Sequence, residues 1–160
     1  MSAAQEKTTV IDREMNDVPA APLAPARALQ VLVVDDVAIN RELLRLLLSH
    51  HGHAVHEVGN GEQAVERVAS GVIDLVLMDI EIPGIDGLDA TRRIRSLPGV
   101  PGRTPVWIVS GHAFACDVEA ALTSGANGHL SKPVCFERLR DVLQQVQAGQ
   151  AQRHTCAAAS

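Results

Sequence analysis

No apolar run in this 160-residue chain approaches the roughly 18 residues that a membrane-spanning helix needs. The first twenty residues, MSAAQEKTTVIDREMNDVPA, are polar and mixed in charge, without the apolar stretch of a secretory signal peptide. Basic residues are in deficit: 14 Lys and Arg stand against 19 Asp and Glu, a formal charge of -5. That balance leaves no electrostatic footprint for DNA or RNA, and no basic excess for a membrane surface. Aromatic residues make up 2% of the chain, and cysteine is scarce. Cys116, Cys135 and Cys156 form no CxxC pair and are odd in number, which predicts buried or free thiols in a reducing cytoplasm. What is present is an apolar fraction of 46%, that of a folded globular protein. The length accommodates one domain with tails.

Residues 1–28 hold three of the eight prolines, no glycine and the run Pro19-Ala-Ala-Pro-Leu-Ala-Pro25. Such a segment buries little and predicts a flexible leader. Residues 149–160 are Ala/Gln-rich without a pattern and read as a flexible tail. One domain is expected over 29–148, with no internal repeat. Inside it, β-branched runs at 31–34, 54–58, 75–78, 106–109 and 128–131 alternate with stretches of helical spacing at 39–49, 62–69, 88–95, 118–122 and 136–146. In the first helix Leu43, Leu46 and Leu47 are assigned to one face. In the last, Leu139, Val142, Leu143 and Val146 share a side. Gly52, Asn60-Gly61, Pro83-Gly84, Pro98-Gly99 and Gly125 punctuate the alternation. Five strands alternating with five helices predict an α/β fold, a parallel sheet covered on both faces. Strand 2 carries His56 and Glu57 and is expected at an edge.

Polar residues gather where the strands end: Asp35 and Asp36 after strand 1, Asp79 after strand 3, Ser110 after strand 4, Lys132 after strand 5. Ligands of open α/β sheets bind outside those strand ends, where the winding reverses. Three carboxylates, a hydroxyl and an ammonium are therefore expected in one crevice. Singly, each has a plain alternative: an aspartate opens loops and caps helices, a serine caps a helix, a lysine lies on a surface. Three clustered carboxylates repel one another unless protonated or neutralised. A hard cation such as Mg²⁺ (or Mn²⁺) relieves that repulsion. With an ammonium and a hydroxyl beside it, the set suits the equatorial oxygens of a phosphoryl group in transfer. Asp79, on the central strand, is the natural nucleophile.

These residues resemble those of a known family, the receiver domains of two-component response regulators. The resemblance is carried by Val31-Leu-Val-Val-Asp-Asp36, Leu77-Met-Asp-Ile-Glu-Ile-Pro-Gly-Ile-Asp-Gly87, Ser110-Gly111 and Ser131-Lys-Pro133. Asn40-Arg41 and Asn60-Gly-Glu-Gln-Ala64 add to it, most of all toward receivers attached to hybrid sensor kinases. It implies a flavodoxin-like (βα)5 doubly wound sheet in the order 2-1-3-4-5. It implies phosphorylation of Asp79 by a phosphohistidine donor, with Lys132 and Ser110 assisting. Mg²⁺ would be held by Asp36, Asp79 and the backbone carbonyl of Glu81, with Asp35 acting through water. It also implies a cis Lys132-Pro133 bond. Where receivers usually carry Tyr or Phe, three residues before the lysine, this chain has His129. An altered switch is expected there, with output carried more by the loop at Gly111 that follows Ser110. Glu81 and His112 flank the path of attacking water and are expected to set phosphoryl lifetime.

The remaining readings concern surfaces and rivals. His50-His-Gly-His-Ala-Val-His56 invites a metal, but a solvated helix-to-strand turn explains it as well. Five leucines within positions 43–48 exceed one buried stripe, so the outer ones are candidates for contact with a kinase or a histidine-phosphotransfer helix bundle. A dozen residues after the last helix are too few for an output domain, which predicts a stand-alone cytoplasmic receiver, monomer or weak homodimer. Its partners would be a sensor histidine kinase or histidine phosphotransfer protein and a downstream protein, with no nucleic acid or membrane. It would promote its own phosphorylation and dephosphorylation rather than turn over a separate substrate. Rival readings are a degenerate receiver acting as a scaffold and an aspartate-nucleophile phosphatase of the haloacid-dehalogenase type. The phosphatase needs a DxD pattern on strand 1, where this chain has adjacent aspartates. An FMN carrier of the same fold needs a Ser/Thr-rich phosphate loop in place of Asp-Asp-Val-Ala.

Overall fold

The computed structural model describes residues 27–111 and 115–158, with side chains described for 27–111 and 118–150. Most of the expected leader, and His112, lie outside the described residues. The strands are β1 Gln30–Val34, β2 Ala54–Val58, β3 Leu75–Asp79, β4 Val106–Ser110 and β5 Gly128–Ser131. The helices are α1 Ala38–His50, α2 Gly61–Ala69, α3 Gly87–Arg95, α4 Ala115–Thr123 and α5 Phe136–Ala158. A short 3-10 turn, Pro101–Arg103, precedes β4. All neighbouring strands pair in parallel, in the order β2-β1-β3-β4-β5. β2 is accordingly an edge.

The alternation of side chains along each strand divides the interior into two cores. Leu32, Val34, Val76, Met78, Val106 and Ile108 face one way, against Ala64 and Val68 of α2, Ala90 and Ile94 of α3 and Ala121 of α4. Val31, Val33, Leu75, Leu77, Val109 and Leu130 face the other way, against Leu44 and Leu48 of α1 and Leu139, Val142, Leu143 and Val146 of α5. Each fully buried Leu, Ile or Val contributes roughly 1.5–3 kcal/mol of apolar burial. β1 and β3 are buried on both faces, which is why they read as unbroken apolar runs. β5 opens on Gly128 because Trp107 lies over it: a Cβ there would sit 2.3 Å from the indole.

Two expectations are corrected. In α1 the buried leucines are Leu44 and Leu48, with Leu47 partly buried; Leu43 and Leu46 are exposed. Leucine at five of six positions leaves the phase of the stripe undetermined, and only contact with the sheet selects it. The last helix also does not stop near Val146 but continues through Gly149 to Ala158. Alanine and glutamine are good helix formers, so a helix started by its apolar turns continues without an apolar stripe. There Gln150 Nε2 donates to Asp74 Oδ1 at 2.7 Å.

Candidate functional site

Parallel strands bring their C-terminal ends to one side of the sheet. Asp35 follows β1, Asp79 closes β3, Ser110 closes β4 and Lys132 follows β5. β1, β3 and β4 stand side by side, so the first three converge at once; Lys132 is drawn in by its backbone N–H, which donates to Ser110 O at 2.8 Å. The Lys132-Pro133 bond is cis. The ammonium bridges two carboxylates, donating to Asp35 Oδ2 at 2.8 Å and Asp79 Oδ2 at 3.0 Å. Asp35 and Asp79 are only 2% and 6% exposed, whereas Asp36 is exposed.

Asp35 is held on every side. Val37 N donates to its Oδ1 at 2.8 Å, and Asn40 Nδ2 reaches its Oδ2 at 3.1 Å. Arg41 donates to its backbone carbonyl at 2.7 Å and lies 3.6 Å from Glu57 on β2. Asn40 and Arg41 were part of the sequence motif, but no role had been assigned to them. A polar residue one helical turn after the acidic pair was the signal. Asp79 receives Glu81 N on Oδ1 at 3.3 Å. Behind it Gly87 opens α3 against the Asp79 carbonyl, where a Cβ would lie 2.0 Å from that oxygen. Only glycine allows α3 to begin this close to the aspartate.

The electrostatics oppose one another. Burial pushes the Asp79 carboxyl above its usual range, against the hydrogen bond and charge of Lys132, and the Asp35 charge pushes it further up. Burial alone would lower the Lys132 ammonium, but its bonds to Asp35 and Asp79 raise it overall, so it is charged at neutral pH. One ammonium faces a group of three carboxylates, Asp35, Asp36 and Asp79, each of which offers one oxygen within 4.8 Å of those of the other two. This is the one such group of potential metal ligands among the described residues. An all-oxygen set with excess negative charge fits a hard divalent cation.

Beside the carboxylates lies a cleft of about 420 Å³, lined by Asp36, Val37, Asp79, Ile80, Glu81, Ser110, Gly111 and Lys132. The sequence-predicted residues Asp36, Asp79, Glu81, Ser110, Gly111 and Lys132 thus share one cavity, with Asp35 beneath it. His129 stands behind Ser110, its Nε2 2.8 Å from Ser110 Oγ. Ser110 is the last residue of β4, and the described part of α4 begins at Ala115. The histidine-rich turn is structural where described: His53 Nδ1 accepts Leu29 N at 3.1 Å, and His56 Nε2 lies 2.8 Å from Gln30 Oε1. Cys135 is an exposed free thiol that donates to Glu137.

A doubly wound α/β domain with a lysine-bridged acidic cleft at its topological switch point is the class that this fold and site define. The chain belongs to the response regulator receiver domain family, whose model matches residues 31–144. It is 43% identical over 121 residues to the two-component response regulator ORR41 of rice, covering 73% of this chain and 93% of that protein. It is 38% identical over 122 residues to the histidine-protein kinase BarA of Escherichia coli, covering 76% of this chain but only 13% of the kinase. The receiver domain of the Pseudomonas aeruginosa sensor kinase PA1611, solved with magnesium in its active-site cleft, superimposes with a TM-score of 0.70 at 31% identity, over 76% of this chain and 99% of that one. The receiver domain of yeast Ssk1, solved with the histidine phosphotransfer protein Ypd1, gives a TM-score of 0.71 at 27% identity, over 78% of this chain and 92% of that one.

Proposed function

We propose that the chain accepts a phosphoryl group on Asp79 from a phosphohistidine donor and passes the signal on through protein contacts. The observation that carries this reading is the Lys132 ammonium bridging Asp35 and Asp79 at the floor of a cleft that also presents Asp36 and Ser110. An Asp79 oxygen attacks phosphorus, the P–N bond to the donor imidazole breaks, and its electron pair leaves with the nitrogen. Lys132 and Ser110 supply a charge and a hydroxyl donor to the phosphoryl oxygens, so catalysis is positioning and charge stabilisation. Mg²⁺ (or Mn²⁺), held by Asp36, Asp79 and the Glu81 carbonyl with Asp35 acting through water, would neutralise charge on those oxygens. Asp35, already fixed by Val37, Asn40 and Lys132, suits that indirect role, and exposed Asp36 suits direct ligation.

The donor surface in this reading is the outward stripe of α1. Ile39, Leu43 and Leu46 recur at helical spacing, are all exposed, and follow Val37 at the cleft rim. An apolar stripe leading to a reactive carboxylate suits a sensor kinase or a histidine phosphotransfer helix bundle, the kind of partner with which Ssk1 was solved. Glu81 and His112 are assigned to phosphoryl lifetime. No separate substrate is turned over. A cytoplasmic setting is expected, and among the described residues no helix is long and apolar enough to cross a membrane.

The test is incubation with Mg²⁺ and acetyl phosphate. The expected product is one acid-stable, hydroxylamine-labile phosphate per chain, absent without Mg²⁺ and absent in Asp79→Asn. No incorporation from acetyl phosphate or from a phosphorylated kinase would leave a binding scaffold as the better reading. Steady phosphate release from small esters would favour a phosphatase.

A further inference from the structure

The backbone that carries the acidic pair is held from the edge strand β2. Asp35 N donates to Val58 O at 3.2 Å. On the other side of the residue, its carbonyl accepts Arg41 Nη1 at 2.7 Å. Arg41 stands near the start of α1, and its Nε lies 3.6 Å from Glu57 Oε1 on β2. Glu57 and Val58 pair in register with Val33 and Val34, the two residues that lead into Asp35. One guanidinium thus ties together the start of α1, the edge of the sheet and the loop that opens the cleft. Its planar fork of donors allows this, because Nη1 and Nε serve two acceptors at once.

A peptide unit is rigid. Fixing the Asp35 carbonyl therefore also fixes the N–H of Asp36 and narrows the directions that the Asp36 side chain can take. The Asp35 carboxylate is bound by Val37, Asn40 and Lys132, whereas Asp36 is exposed and lines the cleft. The direction of Asp36 toward a cation is accordingly set by the backbone beneath it. We propose that Arg41 is a positioning residue for the cation site: by holding the Asp35–Asp36 peptide, it aims Asp36 at a metal beside Asp79. This rests on the reading of Asp36 and Asp79 as metal ligands. Arg41 does not line the cleft, so it acts through Asp36. Position and charge have opposite signs here. A cation close to three carboxylates by itself opposes a divalent ion, so deleting it tightens metal binding if charge is all that matters. Deleting it weakens binding if the held peptide matters more.

The experiment titrates the full chain with Mn²⁺ at pH 7.5 and measures free ion by electron paramagnetic resonance, in wild type, Arg41→Ala, Arg41→Met, Arg45→Ala and Asp36→Asn. The cleft site is the Mn²⁺ bound by wild type and lost in Asp36→Asn. Arg41→Ala is expected to weaken that site roughly tenfold, the lower end of what partners behind metal ligands contribute. Arg41→Met keeps the apolar stem, is expected to do the same, and decides the matter if Arg41→Ala does not fold. Unchanged or tighter binding would overturn the proposal. Arg45→Ala removes a cation that also lies near Glu57, at 3.9 Å, and is expected to leave the affinity within about twofold. A weakening there equal to that of Arg41→Met would overturn the assignment to Arg41. Initial rates with acetyl phosphate are then followed against Mg²⁺ concentration. Arg41→Met is expected to need roughly tenfold more Mg²⁺ for half its maximal rate, with the maximum kept near wild type. A lowered maximum at an unchanged half-saturating concentration would place Arg41 on the phosphoryl step and overturn the proposal. If wild type takes up no phosphate, the phosphoacceptor reading fails separately, and the Mn²⁺ titration still decides the role of Arg41. If wild type binds no more Mn²⁺ than Asp36→Asn, the metal reading falls and the proposal with it.

Discussion

The two ends of the sheet are both lined with polar side chains, yet they spend them differently. At the N-terminal ends of the strands several such groups are used on the protein's own backbone. Asp74 accepts Gln30 N at 2.8 Å, His53 accepts Leu29 N, and Asn127 Oδ1 accepts Val106 N at 3.0 Å. Arg95 reaches across to the carbonyls of Gly125 (2.8 Å), Gly102 (3.2 Å) and Thr104 (2.7 Å), and to Asn127 Oδ1 at 2.8 Å. At the C-terminal ends the charges face one another instead, one ammonium among three carboxylates. One end closes loops; the other holds negative charge in excess, which a cation and a phosphoryl group can use.

The comparison is broken most severely at Arg95. Arg95→Ala removes the donor to three backbone carbonyls, those of Gly102 and Thr104 in buried residues, and should cost about 3 kcal/mol in urea denaturation. Phosphate incorporation per folded molecule should stay as in wild type. If incorporation fell in step with stability, the two ends would not be separable.

The opposite sign is expected at the other end. Asp79 has its folded pKa raised, chiefly by burial, so its contribution to stability is full below the unfolded carboxylate value and lost as pH rises through the folded one. At neutral pH its charge is a net cost, eased but not removed by Lys132. Asp79→Asn should therefore abolish phosphorylation while raising stability by roughly 1 kcal/mol, read as a higher urea midpoint at pH 7.5. The gain should shrink toward pH 4. A destabilised variant would mean that the Lys132 bridge outweighs the burial of the charge.

The smallest effect is expected at His53. Burial, with the nearby His51, lowers its pKa, and its Nδ1 must stay bare to accept Leu29 N. Its contribution is present above the unfolded histidine value near 6.5 and lost as pH falls through the lowered folded value. Urea midpoints at pH 7.5 and 5.5 should differ by less than about 1 kcal/mol more in wild type than in His53→Gln. Equal pH dependence in the two proteins would remove His53 from the account.

Much of this was legible in the chain itself. β1, β3 and β4 are continuous apolar runs because they are buried on both faces, and each ends where its polar residue begins. Ser110, Lys132 and the three aspartates stand out for the same reason: hydrophobicity stops abruptly at a strand's C-terminus. Legibility failed where one-dimensional signals were saturated or missing. The phase of α1 was hidden by leucine at five of six positions, and the length of α5 past Val146 by the absence of an apolar stripe. Asn40 stood out only as a polar residue one helical turn after the acidic pair, and its task of holding Asp35 is visible only once the fold brings the two side chains together.

The sequence by itself determined the alternation of strands and helices and which residues stand at the strand ends, since both follow from local periodicity and from where burial stops. The strand order β2-β1-β3-β4-β5 was implied by family likeness, not by any pattern in the residues. Only the tertiary structure decided what those residues do to one another. Asp35 and Lys132 are 97 positions apart, and His129 meets Ser110 across a strand pair that no local signal registers. Charge and hydrogen-bond polarity act over a few ångströms, so they become properties of a site only after the sheet has brought its strand ends together.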